Sequence, residues 1–303
     1  MTQSNGIAES FNDVISEIKN NQLQTISIFG HEVTLVTIIV GISITVISTL
    51  VLVGGIKRIS KVCELIVPFM AIIYIVSCLL ILILNITSIP KALVDIVVMA
   101  FNGKSASGGL IGYTITKSLT SGVQKGIFAN EAGLGSTPIA LSTAQSNNPV
   151  KEGLISMGAM AVTIVICLMT GLVVVCTSSY NIGLEGIHIT NNAFQTGLCF
   201  NQTFYSILLL LCITFFAFTT IIGWNLYGMK CINYLSGNKK VVGKIYLVLY
   251  LIMILIGSFL KINLVWQIAD IFNSLMAIPN LIALIYLSKT VAKDTCLDIY
   301  EAK

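Results

Sequence analysis

The sequence predicts an all-α polytopic membrane protein, and three observations carry that prediction. The 303 residues are 55% hydrophobic and only 10% charged, whereas soluble domains carry about 25% charged residues. The mean hydropathy is +0.92. Apolar runs recur along the chain at close to the roughly 20 residues that a bilayer-crossing helix needs. The net charge of +4 is small and gives no reason to expect a nucleic-acid partner.

Residues 1–32 read as an extracellular amphipathic segment. Ile7, Phe11, Val14, Ile15 and Ile18 follow helical spacing. No basic region precedes an apolar core, so it is not a signal peptide; an interfacial position suits it. The first span covers 33–53 and ends in the basic cluster Lys57, Arg58 and Lys61. The second covers 64–84, with Pro68 near its start. A connection, 85–109, contains a short apolar piece at 92–101. The third element runs from 110 into a stretch unlike the rest. Four spans follow, at 153–176, 203–227, 243–260 and 264–287, with a polar loop at 177–202. The count is seven membrane elements, the third of them broken.

Lys and Arg placement orients them. Lys57, Arg58, Lys61, Lys151, Lys230, Lys239, Lys240, Lys244, Lys289 and Lys293 fall in one set of loops. Lys19, Lys91, Lys104 and Lys261 fall in the other. The richer set belongs in the cytoplasm, which makes 289–303 a cytoplasmic tail.

The stretch QKGIFANEAGLGSTPIALSTAQ, residues 124–145, breaks the pattern. It places Lys125, Asn130, Glu131, Ser136 and Thr137 among Gly126, Gly133, Gly135 and Pro138. One reading is a polar loop between two helices. The other is a membrane helix interrupted at a binding site, since non-helical backbone survives at membrane depth only where protein or a cavity satisfies it. On the second reading one helix stops near Gly126 and another starts near Pro138, with Ser136 or Thr137 as N-cap. The second helix would then aim its N–H groups at an anion such as a carboxylate.

Glu131 is either functional, as ionisable groups at membrane depth often are, or paired with Lys125 or a helix end. Asn130 could orient an amine or a carboxylate, or bridge backbone. Thr219, Thr220 and Trp224 fall in FFAFTTIIGWNLYG, where Thr220 and Trp224 share a helical face. The hydroxyls suit sodium and the indole could close a small pocket; alternatively, the threonines bond their own i−4 carbonyls. Asp270, Asn273 and Asn280 in the last span read as helix-contact residues. Gly122-x-x-x-Gly126 could allow close helix approach. His31 and His188 are lone loop histidines with no assigned role. Eight cysteines are scattered singly; Cys78, Cys167, Cys176 and Cys212 lie in apolar runs and read as small buried residues. No HExxH, GxSxG, Walker A or dinucleotide fingerprint is present, so no enzyme activity is expected.

GIFANEAGLGSTPIA strongly resembles the signature of the alanine or glycine:cation symporter family. GGIKRISKVCELIVPFMAIIYI, FFAFTTIIGWNLYG and VWQIADIFNSLMAIPNLIAL resemble the same family in the same order, over about residues 34–288. The resemblance implies a LeuT-type inverted-repeat fold and sodium-driven uptake of alanine or glycine across the plasma membrane, with no organic cofactor. It implies that Phe128, Asn130, Gly133, Thr220 and Trp224 contact substrate and that Thr219 and Thr220 contact sodium. Gly126, Glu131, Gly135 and Pro138 would form the helix break. The transporter domain would be 33–288, with a first-repeat remnant at 33–84 and a second repeat at 110–288. The chain resembles the C-terminal two-thirds of a member, because the family's first broken helix has no counterpart here. The expectations are therefore an incomplete fold, poor transport by this chain alone, and a possible partner chain supplying the missing helices.

Overall fold

The computed structural model describes residues 1–19, 24–28, 31–101, 110–144, 146, 148–183, 186–198 and 202–301. The elements run α1 (Thr2–Ile18), β1 (Thr25–Ile28), β2 (His31–Thr34), α2 (Leu35–Leu52), α3 (Gly55–Leu84), α4 (Ile89–Phe101), α5 (Leu110–Asn130), α6 (Ser136–Leu141), α7 (Pro149–Cys176), α8 (Ile187–Gly197), α9 (Gln202–Leu235), α10 (Lys240–Phe259) and α11 (Ile262–Glu301). The strands form one antiparallel hairpin in which Thr25 faces Thr34.

Among the described residues, six helices are long and apolar enough to cross a membrane: α2, α3, α7, α9, α10 and α11. They match six of the seven expected elements. The seventh, α5 with α6, does not qualify, because Lys117, Ser118, Thr120, Ser121, Gln124 and Lys125 dilute its apolar character. The spans present large apolar side chains outward, among them Leu50, Leu65 and Ile285. Surface of that kind suits lipid rather than water. Helix lengths exceed the apolar runs. At 40 residues α11 is about 60 Å long, twice the roughly 30 Å hydrocarbon thickness. Residues 289–301 therefore continue α11 as helix.

The chain divides into two units. The first comprises Met1–Ile96 and Met169–Trp266; the second comprises Val97–Leu168 and Gln267–Lys303.

In the first unit, α1 is helical as its spacing predicts, and its apolar face lies on protein. Ile7 and Ala8 join Val40 and Ile44 of α2, Ala217 and Ile221 of α9, and Ile254 of α10 in one buried cluster. The helix comes close because Gly257 of α10 has no side chain; a Cβ there would sit 2.5 Å from the Met1 Cα. Polar groups fix the register. The Asn5 amide donates to the Leu260 carbonyl at 2.7 Å, satisfying a backbone group at the end of α10. The Asn12 amide donates to Thr37 Oγ1 at 2.8 Å, and Thr34, the N-cap of α2, donates to Asn12 Oδ1 at 2.6 Å. A second cluster joins Leu52, Ile59 and Ile222.

The expected loop at 177–202 holds a helix, α8, whose Phe194 is fully buried with its ring 5.6 Å from that of Tyr74. His188 is not alone. Its Nδ1 lies 2.6 Å from Asp13 Oδ2, and its Nε2 lies 3.7 Å from Glu9 Oε2, tying α8 to α1. The expectation for the cysteines holds for Cys78 and Cys212, which are buried, and not for Cys167, which is exposed on α7. A cysteine in an apolar run can face lipid as readily as protein. Among the described residues nothing lies within 4 Å of a Cβ built at Gly122 or Gly126, so that pair makes no close helix approach there.

Candidate functional site: an interrupted helix and its cleft

In the second unit the helix break is real, but it starts later than Gly126. Helix α5 continues through Gly126 to Asn130, whose Nδ2 donates to the Gly126 carbonyl at 3.0 Å. The chain then leaves helical geometry over residues 131–135. Glu131 has φ 51°, Gly133 φ 74° and Gly135 φ 80°. Left-handed backbone at Glu131 is uncommon for a residue with a Cβ. Ala132 N still reaches back to the Ile127 carbonyl at 3.1 Å, and Leu134 N to the Glu131 carbonyl at 3.2 Å. The first bond closes the end of α5, as an orphan carbonyl requires, and the second closes a turn within the break.

The restart also differs from expectation. Gly135, rather than Ser136 or Thr137, occupies the N-cap position, and Pro138 is the third residue of α6. Fully buried Ser136 donates its hydroxyl to Glu131 Oε2 in a short hydrogen bond. The carboxylate beside the start of α6 is thus the protein's own. Helix α6 has six residues and ends at Leu141, too short for the dipole argument made from the sequence. Glu131 does not pair with Lys125. Lys125 Nζ instead lies 3.1 and 3.2 Å from the two carboxylate oxygens of Asp270 on α11.

Gly135 and Asn280 meet closely. A Cβ at Gly135 would lie 2.9 Å from Asn280 Oδ1. Asn280 Nδ2 in turn donates to the Gly133 carbonyl at 2.9 Å. The break is therefore held from outside by one amide of α11, the contact role read from the sequence.

Beside it lies a cleft of about 580 Å³ lined by α5, Leu134 and α11. Phe128 lines it, and so do Asp270 and Asn273, which the sequence reading took as helix-contact residues. Thr120, Gln124 and Ser274 were not anticipated. The spacing of Thr120, Gln124 and Phe128, four residues apart along one helical face, is the signal that could have found two of them. In the second unit, two side-chain amide atoms are buried with no hydrogen-bond partner among the described residues: Asn130 Oδ1 and Asn273 Nδ2. Buried polar atoms are nearly always satisfied, so both call for a partner from outside this set.

Thr219, Thr220 and Trp224 lie on α9 in the first unit. The i−4 bonds of the alternative reading are present. Thr219 donates to the carbonyls of Phe215 and Phe216 at 3.0 Å each, and Thr220 to that of Phe216 at 2.8 Å. Those bonds use the hydroxyl protons and leave oxygen lone pairs for a cation. Trp224 packs on Tyr227 with ring centroids 5.6 Å apart. One residue on, Asn225 is buried with its Nδ2 unpartnered among the described residues.

Six apolar spans and a helix interrupted beside a cleft with polar groups define a polytopic membrane protein that contains a broken helix. The sequence profile described as the Sodium:alanine symporter family matches residues 1–303, and the chain belongs to that family, whose members are transporters rather than enzymes. It is 45% identical over 260 residues to an uncharacterized transporter of Haemophilus influenzae, covering 85% of this chain and 56% of that protein. It is 38% identical over 261 residues to the sodium/alanine symporter AgcS of Methanococcus maripaludis, covering 85% and 56%. It is also 38% identical over 291 residues to a probable sodium/glutamine symporter, GlnT, of Bacillus subtilis, covering 94% and 58%. The chain thus spans a little over half the length of these relatives.

Proposed function

We propose that this chain takes part in sodium-coupled symport of a small neutral amino acid, alanine or glycine, across the plasma membrane by alternating access. The observation that carries the reading is the interruption at residues 131–135, with the Asn130 side-chain oxygen buried and unpartnered beside it. Interrupted helices at membrane depth are where transporters of this kind build their sites. Phe128, Asn130, the backbone at Gly133, Thr220 and Trp224 contact the amino acid, while Thr219 and Thr220 offer hydroxyl lone pairs to sodium. Sodium binding lowers the free energy of the substrate-competent state, and the substrate then shifts the population between outward and inward conformations. Membership of the family and the names of its relatives support amino acid and sodium as cargo. A LeuT-type inverted-repeat arrangement of residues 33–288, with 1–32 outside and 289–303 in the cytoplasm, belongs to the same reading.

The test is uptake of labelled alanine and glycine into proteoliposomes with and without a sodium gradient. Uptake by this chain is expected to be weak, in line with the sequence reading, but to collapse without sodium and to fall in Asn130→Ala. Folded, inserted protein that shows no sodium-dependent uptake would overturn the reading.

A further inference from the structure

We propose that Asp270 and Asn273, one turn apart on α11, recognise the ammonium and carboxylate groups of the transported amino acid, and that Lys125 transfers from Asp270 to the carboxylate as it binds. The inference rests on the symport reading above and adds a recognition surface on α11 that none of the sequence motifs suggested.

An α-amino acid carries both charges within a few ångströms, so its binding surface needs an anion and a donor at matching separation. Residues i and i+3 on a helix have Cβ atoms about 5–6 Å apart. Asp270 and Asn273 stand at that spacing, and both line the cleft. The rest of that lining is largely apolar, including Val123, Leu134 and Ala277, which suits a short aliphatic side chain.

Each polar group has a reason to accept a ligand. The Asp270 carboxylate already holds an ammonium, that of Lys125, at 3.1 and 3.2 Å. Those side chains are 47% and 24% exposed, and a pair in that setting shifts its equilibrium by no more than about fivefold. A substrate ammonium can therefore replace the lysine with no change of charge at Asp270. The displaced Lys125 brings its own charge to the carboxylate left beside it. Asn273 Nδ2 is buried and unpartnered among the described residues. A carboxylate oxygen would satisfy it, and a hydrogen bond to a charged group is among the stronger ones.

The experiment measures binding of labelled L-alanine, in sodium, to the full chain in lipid nanodiscs. It compares wild type with Asp270→Asn, Asn273→Ala and Lys125→Met. Competition uses alaninamide, which lacks the carboxylate, and lactate, which lacks the ammonium. Asp270→Asn and Asn273→Ala should each weaken alanine by about tenfold to a hundredfold, the worth of a hydrogen bond to a charged group. Asp270→Asn should also erase the preference for alanine over lactate, and Asn273→Ala should narrow the preference over alaninamide to what the Lys125 charge supplies. Lys125→Met removes the same ion pair but keeps the ammonium acceptor, so it should weaken alanine less than Asp270→Asn does. Equal losses in those two variants, with analogue preferences unchanged, would make the pair a structural strut and overturn the proposal. Wild-type-like binding in Asp270→Asn and Asn273→Ala, with loss in Thr220→Ala, would sink the proposal and leave the symport reading standing. Absence of sodium-dependent alanine binding in wild type would overturn both.

Discussion

Replacing Gly135 by alanine tests how the helix break is held. The residue sits at φ 80°, where a side chain costs about 1–2 kcal/mol. The new Cβ would also lie 2.9 Å from Asn280 Oδ1, 3.1 Å from its Cγ and 3.3 Å from its Cβ. Three contacts that close force the Asn280 side chain to shift, and its hydrogen bond to the Gly133 carbonyl is lost. That bond contributes about 1 kcal/mol net. The two effects together amount to about 2–3 kcal/mol. Gly133 is the internal control. It has a similar φ of 74°, but a Cβ there meets only Leu281, at an ordinary 3.6 Å. Gly133→Ala should therefore cost only the conformational part. The assay is hydrogen exchange of the backbone amides over residues 131–142, read by mass spectrometry in detergent. Local opening free energies set those rates, so Gly135→Ala should exchange roughly 30- to 150-fold faster at about 1.4 kcal/mol per decade. In an Asn280→Ala background the Gly135→Ala penalty should shrink toward that of Gly133→Ala. Equal protection in the two glycine variants, or no relief from Asn280→Ala, would refute the account.

Two further predictions concern the first unit. His188 has its pKa raised above the ordinary value, chiefly by its hydrogen bond to Asp13, with the Asp13 and Glu9 charges adding and burial opposing. Its contribution to holding α8 on α1 is therefore complete below about pH 6.5 and is lost as pH rises through the raised folded pKa. Glu9 acts in the same direction: burial, with the Asp13 charge, raises its pKa against the pull of His188, so ionising it costs stability as pH rises through that raised value. Exchange in α1 and α8, corrected for intrinsic rates, should accelerate between pH 6 and pH 8 in wild type and lose most of that dependence in His188→Gln; an unchanged slope would count against the pairing. Phe194 is fully buried against Tyr74, so Phe194→Ala should destabilise the first unit by about 3–5 kcal/mol. Denaturant unfolding followed by the fluorescence of Trp224 and Trp266 would measure it, and a loss under about 1 kcal/mol would show that the site collapses around the gap.

Six continuous spans and the fact of an interruption were legible in the chain itself. A bilayer imposes a length and an apolarity on whatever crosses it, and both are properties of composition in a window. Glycine, proline and polar residues crowded at 124–145 violate that requirement whatever the partners are. The site at which the helix stops was not legible. Gly126 is permissive, but permission does not end a helix, and α5 runs on until Glu131 adopts left-handed backbone. Nor could the sequence reveal that Glu131 binds Ser136 rather than Lys125, or that Lys125 belongs to Asp270, 145 residues away. Helix α8 was hidden for a similar reason: its polar residues resemble a loop until Phe194 is placed against Tyr74 and His188 against Asp13. Local chemistry decides which segments can enter a membrane. Which polar groups satisfy one another there depends on long-range packing, because in a low-dielectric interior each group is held by whatever partner the fold brings within about 3 Å.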